Sequence, residues 1–99
     1  MAWLFRVRVV GPSMEPVLGN GQTCWARRGG LKPGRIAVFS EPGRPDLIAV
    51  KRLMRQGSAG WWVEGENSES STDSRSFGEV PDDQILGTLI GYRARTPSG

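Results

Sequence analysis

The chain has no histidine and a single cysteine, Cys24. Each of these scarcities excludes a chemistry. Without imidazole there is neither a His-based triad nor a Cys–His pair, so any nucleophilic reaction has to use another base. One cysteine makes no intrachain disulfide, and lacking the usual base of a thiol protease it reads as a buried, inert thiol in a strand. No apolar stretch approaches the ~20 residues needed to cross a bilayer. The nearest is the N-terminal run, which Arg6 and Arg8 interrupt and no cleavable signal follows. The expectation is a cytoplasmic protein without a transmembrane anchor, with peripheral membrane contact through Trp3, Leu4 and Phe5 left open. Thirteen Lys and Arg against ten acids give a net charge of +3. The basic residues are scattered, so nucleic acid is not expected as the main partner. No metal or other cofactor is expected.

What the chain does have is turn formers. Fourteen Gly and seven Pro in 99 residues separate short β-branched or aromatic runs, and this favours a mainly β fold over a helical bundle. The expected architecture is a compact, twisted antiparallel or mixed sheet with one or two short helical turns, at residues 15–18 and 82–86. With 37% hydrophobic residues the length suits one domain over residues 1–95 and a flexible tail over 96–99.

Alternation in residues 1–10 puts Phe5, Val7 and Val9 on one strand face and Arg6 and Arg8 on the other. Further strands are expected at 23–27 and 35–39. A loop over 41–46 should lead into a strand carrying Lys51, followed by 61–64 and a closing strand at 85–92 interrupted by Gly87 and Gly91. Residues 65–78 form a polar segment whose start is expected to be anchored by Trp61 and Trp62. Within it Asp73 and Arg75 are close enough to brace the backbone, as an exposed pair worth ~0–1 kcal/mol.

A histidine-free nucleophile directs attention to lysine. Free lysine has a pKa of about 10.4, so burial must lower it by several units before it serves as a base near neutrality. In the run Leu47-Ile48-Ala49-Val50-Lys51-Arg52-Leu53-Met54, alternation gives Lys51 the apolar same-face neighbours Leu47, Ala49 and Leu53. Arg52 then points away, and no carboxylate adjoins the lysine. Ser13 stands at a corner in Gly11-Pro12-Ser13-Met14-Glu15-Pro16. Taken singly, Lys51 is equally a strand lysine reaching to water and Ser13 a turn former. Together they form a candidate dyad.

Three blocks in order carry a resemblance to the signal peptidase I and LexA-like superfamily of Ser/Lys peptidases. They are Gly11-Pro12-Ser13-Met14-Glu15-Pro16-Val17-Leu18, Val50-Lys51-Arg52, and Gly65-Glu66-Asn67 through Ser71-Thr72-Asp73-Ser74-Arg75-Ser76-Phe77-Gly78. The resemblance implies a fold of the signal peptidase catalytic-core type, with Ser13 as nucleophile and Lys51 as general base. Ser71 would orient the lysine, and Asp73 and Arg75 would form a supporting ion pair. The chain departs from the pattern at Gly11, where the family often has an oxyanion-stabilising hydroxyl, at Gln22, where Asp is usual, and at Glu66, which also replaces Asp.

With twelve residues before Ser13, a membrane-anchored secretory peptidase is not expected. The Gly-Pro-Ser-Met and Trp-Trp-Val segments look most like the soluble proteases that mature nickel-type superoxide dismutase. The functional expectation is a soluble serine endopeptidase that removes an N-terminal extension from a precursor bound as an extended strand. Val10, Met14, Ile48 and Val50 are its candidate substrate-binding residues. The alternatives are an autoproteolytic LexA-like regulator fragment and a catalytically inactive peptide-binding module.

Overall fold

The computed structural model describes residues 3–11, 13–67 and 72–90, except for the side chain of Pro45. Six strands run β1 (Leu4–Arg8), β2 (Thr23–Arg27), β3 (Ile36–Glu41), β4 (Arg44–Gln56), β5 (Trp61–Glu64) and β6 (Ile85–Ile90). They form one antiparallel sheet in the order β1-β2-β6-β3-β4-β5. The mainly β expectation holds, and the strands at 23–27 and 61–64 begin and end where the sequence puts them.

Side-chain alternation accounts for the two cores. Along β3, Ile36 and Val38 join a cluster with Val7, Val9, Met14, Leu18 and Ala26. Ala37 and Phe39, pointing the other way, join Leu53, Trp61, Val63 and Val80. The central strand therefore buries both faces, and its Ile-Ala-Val-Phe run needs no polar alternation. Cys24 sits in the first cluster, 1% exposed, and burial raises its thiol pKa, as suits an unreactive thiol. Gly87 allows β6 to close on β2, because a Cβ there would lie 2.3 Å from the Arg27 carbonyl oxygen.

The differences from the sequence reading are local. Residues 41–46 are not an open loop: Pro42 and Gly43 turn the chain, Gly43 with φ 81°, and β4 begins at Arg44. The register then jumps. Glu41 pairs with Arg44 and Ser40 with Ile48, so residues 45–47 bulge from the ladder. Residues 15–18 form a turn closed by one helical hydrogen bond, Leu18 N–H to the Met14 carbonyl at 2.8 Å. The second helical turn is a 3-10 turn at Asp82–Gln84. A one-turn helix, α1 (Ser74–Phe77), lies in the segment read as polar and irregular. Its apolar contact is Phe77, edge-on to Phe39 at 6.1 Å between ring centres. The expected continuation of β6 to residue 92 and the tail at 96–99 lie outside the described residues.

Candidate active site

Two anchors place Ser13. Met14 and Leu18, both 0% exposed, plug the turn that follows it into the first core. Above, the Asn67 N–H donates to the Ser13 carbonyl at 2.8 Å, tying the serine to the start of the third block. On the upstream side the Gly11 N–H donates to Asn20 Oδ1 at 2.9 Å. The Gly19 N–H donates to Gln22 Oε1 at 3.0 Å, so the glutamine at the unusual position braces the same loop.

Lys51 lies in β4 opposite Ala37 and is 6% exposed. Its Nζ donates to Ser13 Oγ at 2.7 Å, joining residues 38 apart in sequence. In the neutral amine the roles reverse and the serine hydroxyl donates to nitrogen. Burial lowers the lysine pKa, against the fields of Asp73 and Glu41, which raise it. The sequence reading thus requires a correction: alternation keeps carboxylates off the neighbouring positions of β4, but the fold brings two others close enough to act on the charge.

The described parts of the third block adjoin this pair through Asn67 and Thr72. Asp73 caps α1 and is 1% exposed. Its carboxylate accepts from the Gly65 N–H at 2.9 Å, the Arg75 N–H at 3.1 Å, Arg75 Nε at 3.0 Å and Arg75 Nη2 at 2.5 Å. Burial alone would raise the Asp73 pKa, but these bonds outweigh it and bring the group down to about 2. The same pair raises the Arg75 pKa, chiefly through the side-chain hydrogen bond. The expectation of an exposed Asp–Arg pair is therefore wrong for the aspartate, which is buried, while the Arg75 side chain stays exposed. Ser74 contributes as well, its Oγ accepting from the Val63 N–H at 2.8 Å. Only Trp61 of the two tryptophans is buried. Trp62 is half-buried, with Nε1 bonded to Glu64 Oε2 at 2.8 Å and the Arg55 guanidinium 4.8 Å over its ring. Glu66 bonds to Arg52 on the opposite face of β4 from Lys51. Ser71 lies outside the described residues.

Ser13 and Lys51 open into a cleft of about 260 Å³. Val10, Met14, Ile48 and Val50 all line it. They do so differently. Val10 is 82% exposed and Ile48 51%, whereas Met14 is fully buried and serves the core as well. Glu41, Arg44, Leu47 and Thr72 also line the cleft and were not singled out from the sequence. For Glu41 a signal existed: Ala37-x-Phe39-x-Glu41 is a period-2 row, and a hairpin after Pro42-Gly43 sets that row beside the Lys51 row.

Comparison with known proteins gives a consistent answer. The curated relatives are proteases. This chain is 28% identical to mitochondrial inner membrane protease subunit 1 of Homo sapiens, over 90% of the chain and 74% of the relative. It is 31% identical to the Xenopus tropicalis protein of that name, over 80% and 62% respectively. No protein-family model matches. These relatives support a hydrolase of the signal peptidase type and not the nickel-type superoxide dismutase maturation proteases suggested by Gly-Pro-Ser-Met and Trp-Trp-Val. They also overturn the cytoplasmic expectation, since they are named for an inner mitochondrial membrane. That expectation rested on the absence of a spanning run. No helix among the described residues is long and apolar enough to cross a membrane, yet a β domain can work at a membrane surface without one.

Proposed function

We propose that the chain is a serine endopeptidase in which Ser13 is the nucleophile and Lys51 the general base, acting on an extended segment of a precursor protein. The observation that carries this reading is the 2.7 Å contact between Lys51 Nζ and Ser13 Oγ, made where the amine is buried and the hydroxyl faces a cleft. Burial lowers the lysine pKa, which favours the neutral amine that the chemistry needs. Ser13 Oγ attacks the peptide carbonyl carbon while its proton passes to Lys51 Nζ. The tetrahedral intermediate collapses, the C–N bond breaks, and Lys51 returns the proton to the leaving amine. Water then attacks the acyl carbon while Lys51 takes its proton, the C–Oγ bond breaks, Lys51 returns the proton to Ser13 Oγ, and the acid is released.

The Ser13 backbone N–H is assigned to the oxyanion, because Gly11 offers no hydroxyl. The substrate strand lies between residues 9–11 and 47–50, with Val10 and Ile48 as its apolar walls. Asp73 acts by position: it fixes the start of α1 and Gly65, and with them Asn67, which holds the Ser13 carbonyl. The names of the relatives extend to a membrane-associated setting, and the exposed Trp3, Leu4 and Trp25 offer apolar contact for it.

The test is cleavage of candidate precursor proteins, read as new termini by mass spectrometry, with rapid-quench detection of an acylated chain. Ser13→Ala and Lys51→Ala should each abolish cleavage while the circular dichroism spectrum is kept. Turnover at the wild-type rate in either variant rejects the dyad.

A further inference from the structure

The mechanism leaves one buried ionisable group in the cleft without a task. Glu41 is 5% exposed and lines the same cavity as Ser13 and Lys51. Its ion-pair partner is Arg44, whose Nε stands 3.7 Å from Oε2 and whose side chain is 68% exposed. That separation lies beyond hydrogen-bond reach, which ends near ~3.2 Å for N–H to O. A carboxylate has room for about four donated bonds, and a buried one is costly unless they are made. Glu41 follows the register shift at Ser40/Glu41 and lines the cleft with the exposed Leu47, which bulges from the ladder, and the exposed Ile48, which pairs with Ser40. An apolar rim thus leads to an acidic floor.

We infer that Glu41 sets substrate specificity by receiving a substrate side chain that carries N–H donors, an ammonium or guanidinium before a neutral amide. The inference rests on the peptidase reading and adds a charged contact to the apolar residues Val10, Met14, Ile48 and Val50 named from the sequence. A cation reaching Glu41 would draw the carboxylate away from Arg44 and supply the short bonds that Arg44 does not make. Apolar side chains of equal length would displace water from the carboxylate without replacing its bonds, which is the kind of penalty that gives strong discrimination.

The other role open to Glu41 is to raise the pKa of Lys51, and the experiment separates the two. Positional-scanning peptide libraries are measured for binding to the full chain carrying Ser13→Ala, and for turnover by the wild type. At one position, lysine or arginine peptides should bind about tenfold more tightly than leucine peptides, with asparagine and glutamine between. Glu41→Gln in the same background should abolish the preference for cations over amides. Arg44→Ala, a change at an exposed residue, should increase it about two- to threefold by removing the competing guanidinium. Equal binding of lysine and leucine peptides at every position overturns the inference, as does a preference unchanged in Glu41→Gln. A Glu41→Gln variant that shifts the pH profile equally for all peptides, with the cation preference intact, overturns it too and assigns Glu41 to Lys51 alone. Binding selectivity without wild-type turnover supports the pocket and rejects the peptidase reading; turnover without selectivity does the reverse.

Discussion

Lys51 and Asp73 are both buried ionisable side chains, 6% and 1% exposed, yet the fold shifts their protonation in opposite senses relative to charge. Asp73 receives four hydrogen bonds from Gly65 and Arg75, and its charged form is favoured, with a pKa of about 2. Lys51 has Ser13 Oγ as its hydrogen-bond partner among the described residues, and its neutral form is favoured. Burial by itself opposes charge in both. What differs is satisfaction: the donors around the carboxylate outweigh its desolvation, whereas for the amine, with one hydrogen-bond partner, desolvation outweighs the fields of Asp73 and Glu41. The first arrangement makes a brace and the second a candidate base.

The largest effect should come from changing the base without removing its bulk. Lys51→Arg keeps a cation that does not lose its proton, so cleavage should fall by at least ~1000-fold in kcat/KM, consistent with loss of general-base catalysis. In the wild type the rate should rise with pH through a lysine pKa below the ordinary 10.5. A flat profile across that range would remove Lys51 from the role.

Next in size is the brace. Asp73→Asn keeps the shape but gives up the charge-assisted bonds to Arg75, and should cost about 2–3 kcal/mol in urea denaturation at pH 7. The pH dependence has a definite sign. Because folding depresses the Asp73 pKa from 3.8 to about 2, its contribution is complete above 3.8 and is lost as pH falls through 2. The stability difference between wild type and Asp73→Asn should therefore shrink over that interval.

Lys51 should act with the same sign in a more alkaline window, but as a cost that is relieved. Between its lowered folded pKa and 10.5 the unfolded chain binds more protons, so wild-type stability rises with pH across that window. Lys51→Met, apolar and similar in length, should be about 1–2 kcal/mol more stable than wild type near neutrality and inactive, with the gap closing toward alkaline pH. Equal stability of the two at pH 7 would mean that burial of the amine is not costly. The smallest effect is expected on the far face of β4. The Arg52–Glu66 pair is about a quarter exposed on each side chain, and Glu66→Gln should change stability by less than ~1 kcal/mol.

Much of this was legible in the residues. Alternation placed Phe5, Val7 and Val9 on one face, and gave β2 and β5 their limits, because period-2 burial is a local property of a strand. The short α1 was missed because three of its four residues are polar or charged and its signal is a capping aspartate without an apolar run behind it. The loop expected over 41–46 was misread for a related reason: Pro42-Gly43 marks a turn, but a bulge in a ladder depends on the partner strand. For the site, the resemblance named Asp73 and Arg75 while composition suggested a weak exposed pair, since nothing near Asp73 in sequence reveals that the fold buries it.

By itself the sequence determined the chemistry available: no imidazole, a single thiol, and a lysine in an apolar row as a candidate base for a candidate serine. It also determined the strands, whose pattern is written in neighbouring residues. Only the tertiary structure decided that Ser13 and Lys51 meet at 2.7 Å across 38 residues, that Asp73 is sealed, and that Glu41 faces the same cleft. Those outcomes depend on cross-strand register and on burial by distant segments, and it is burial that moves the protonation of a titratable side chain away from its value in water.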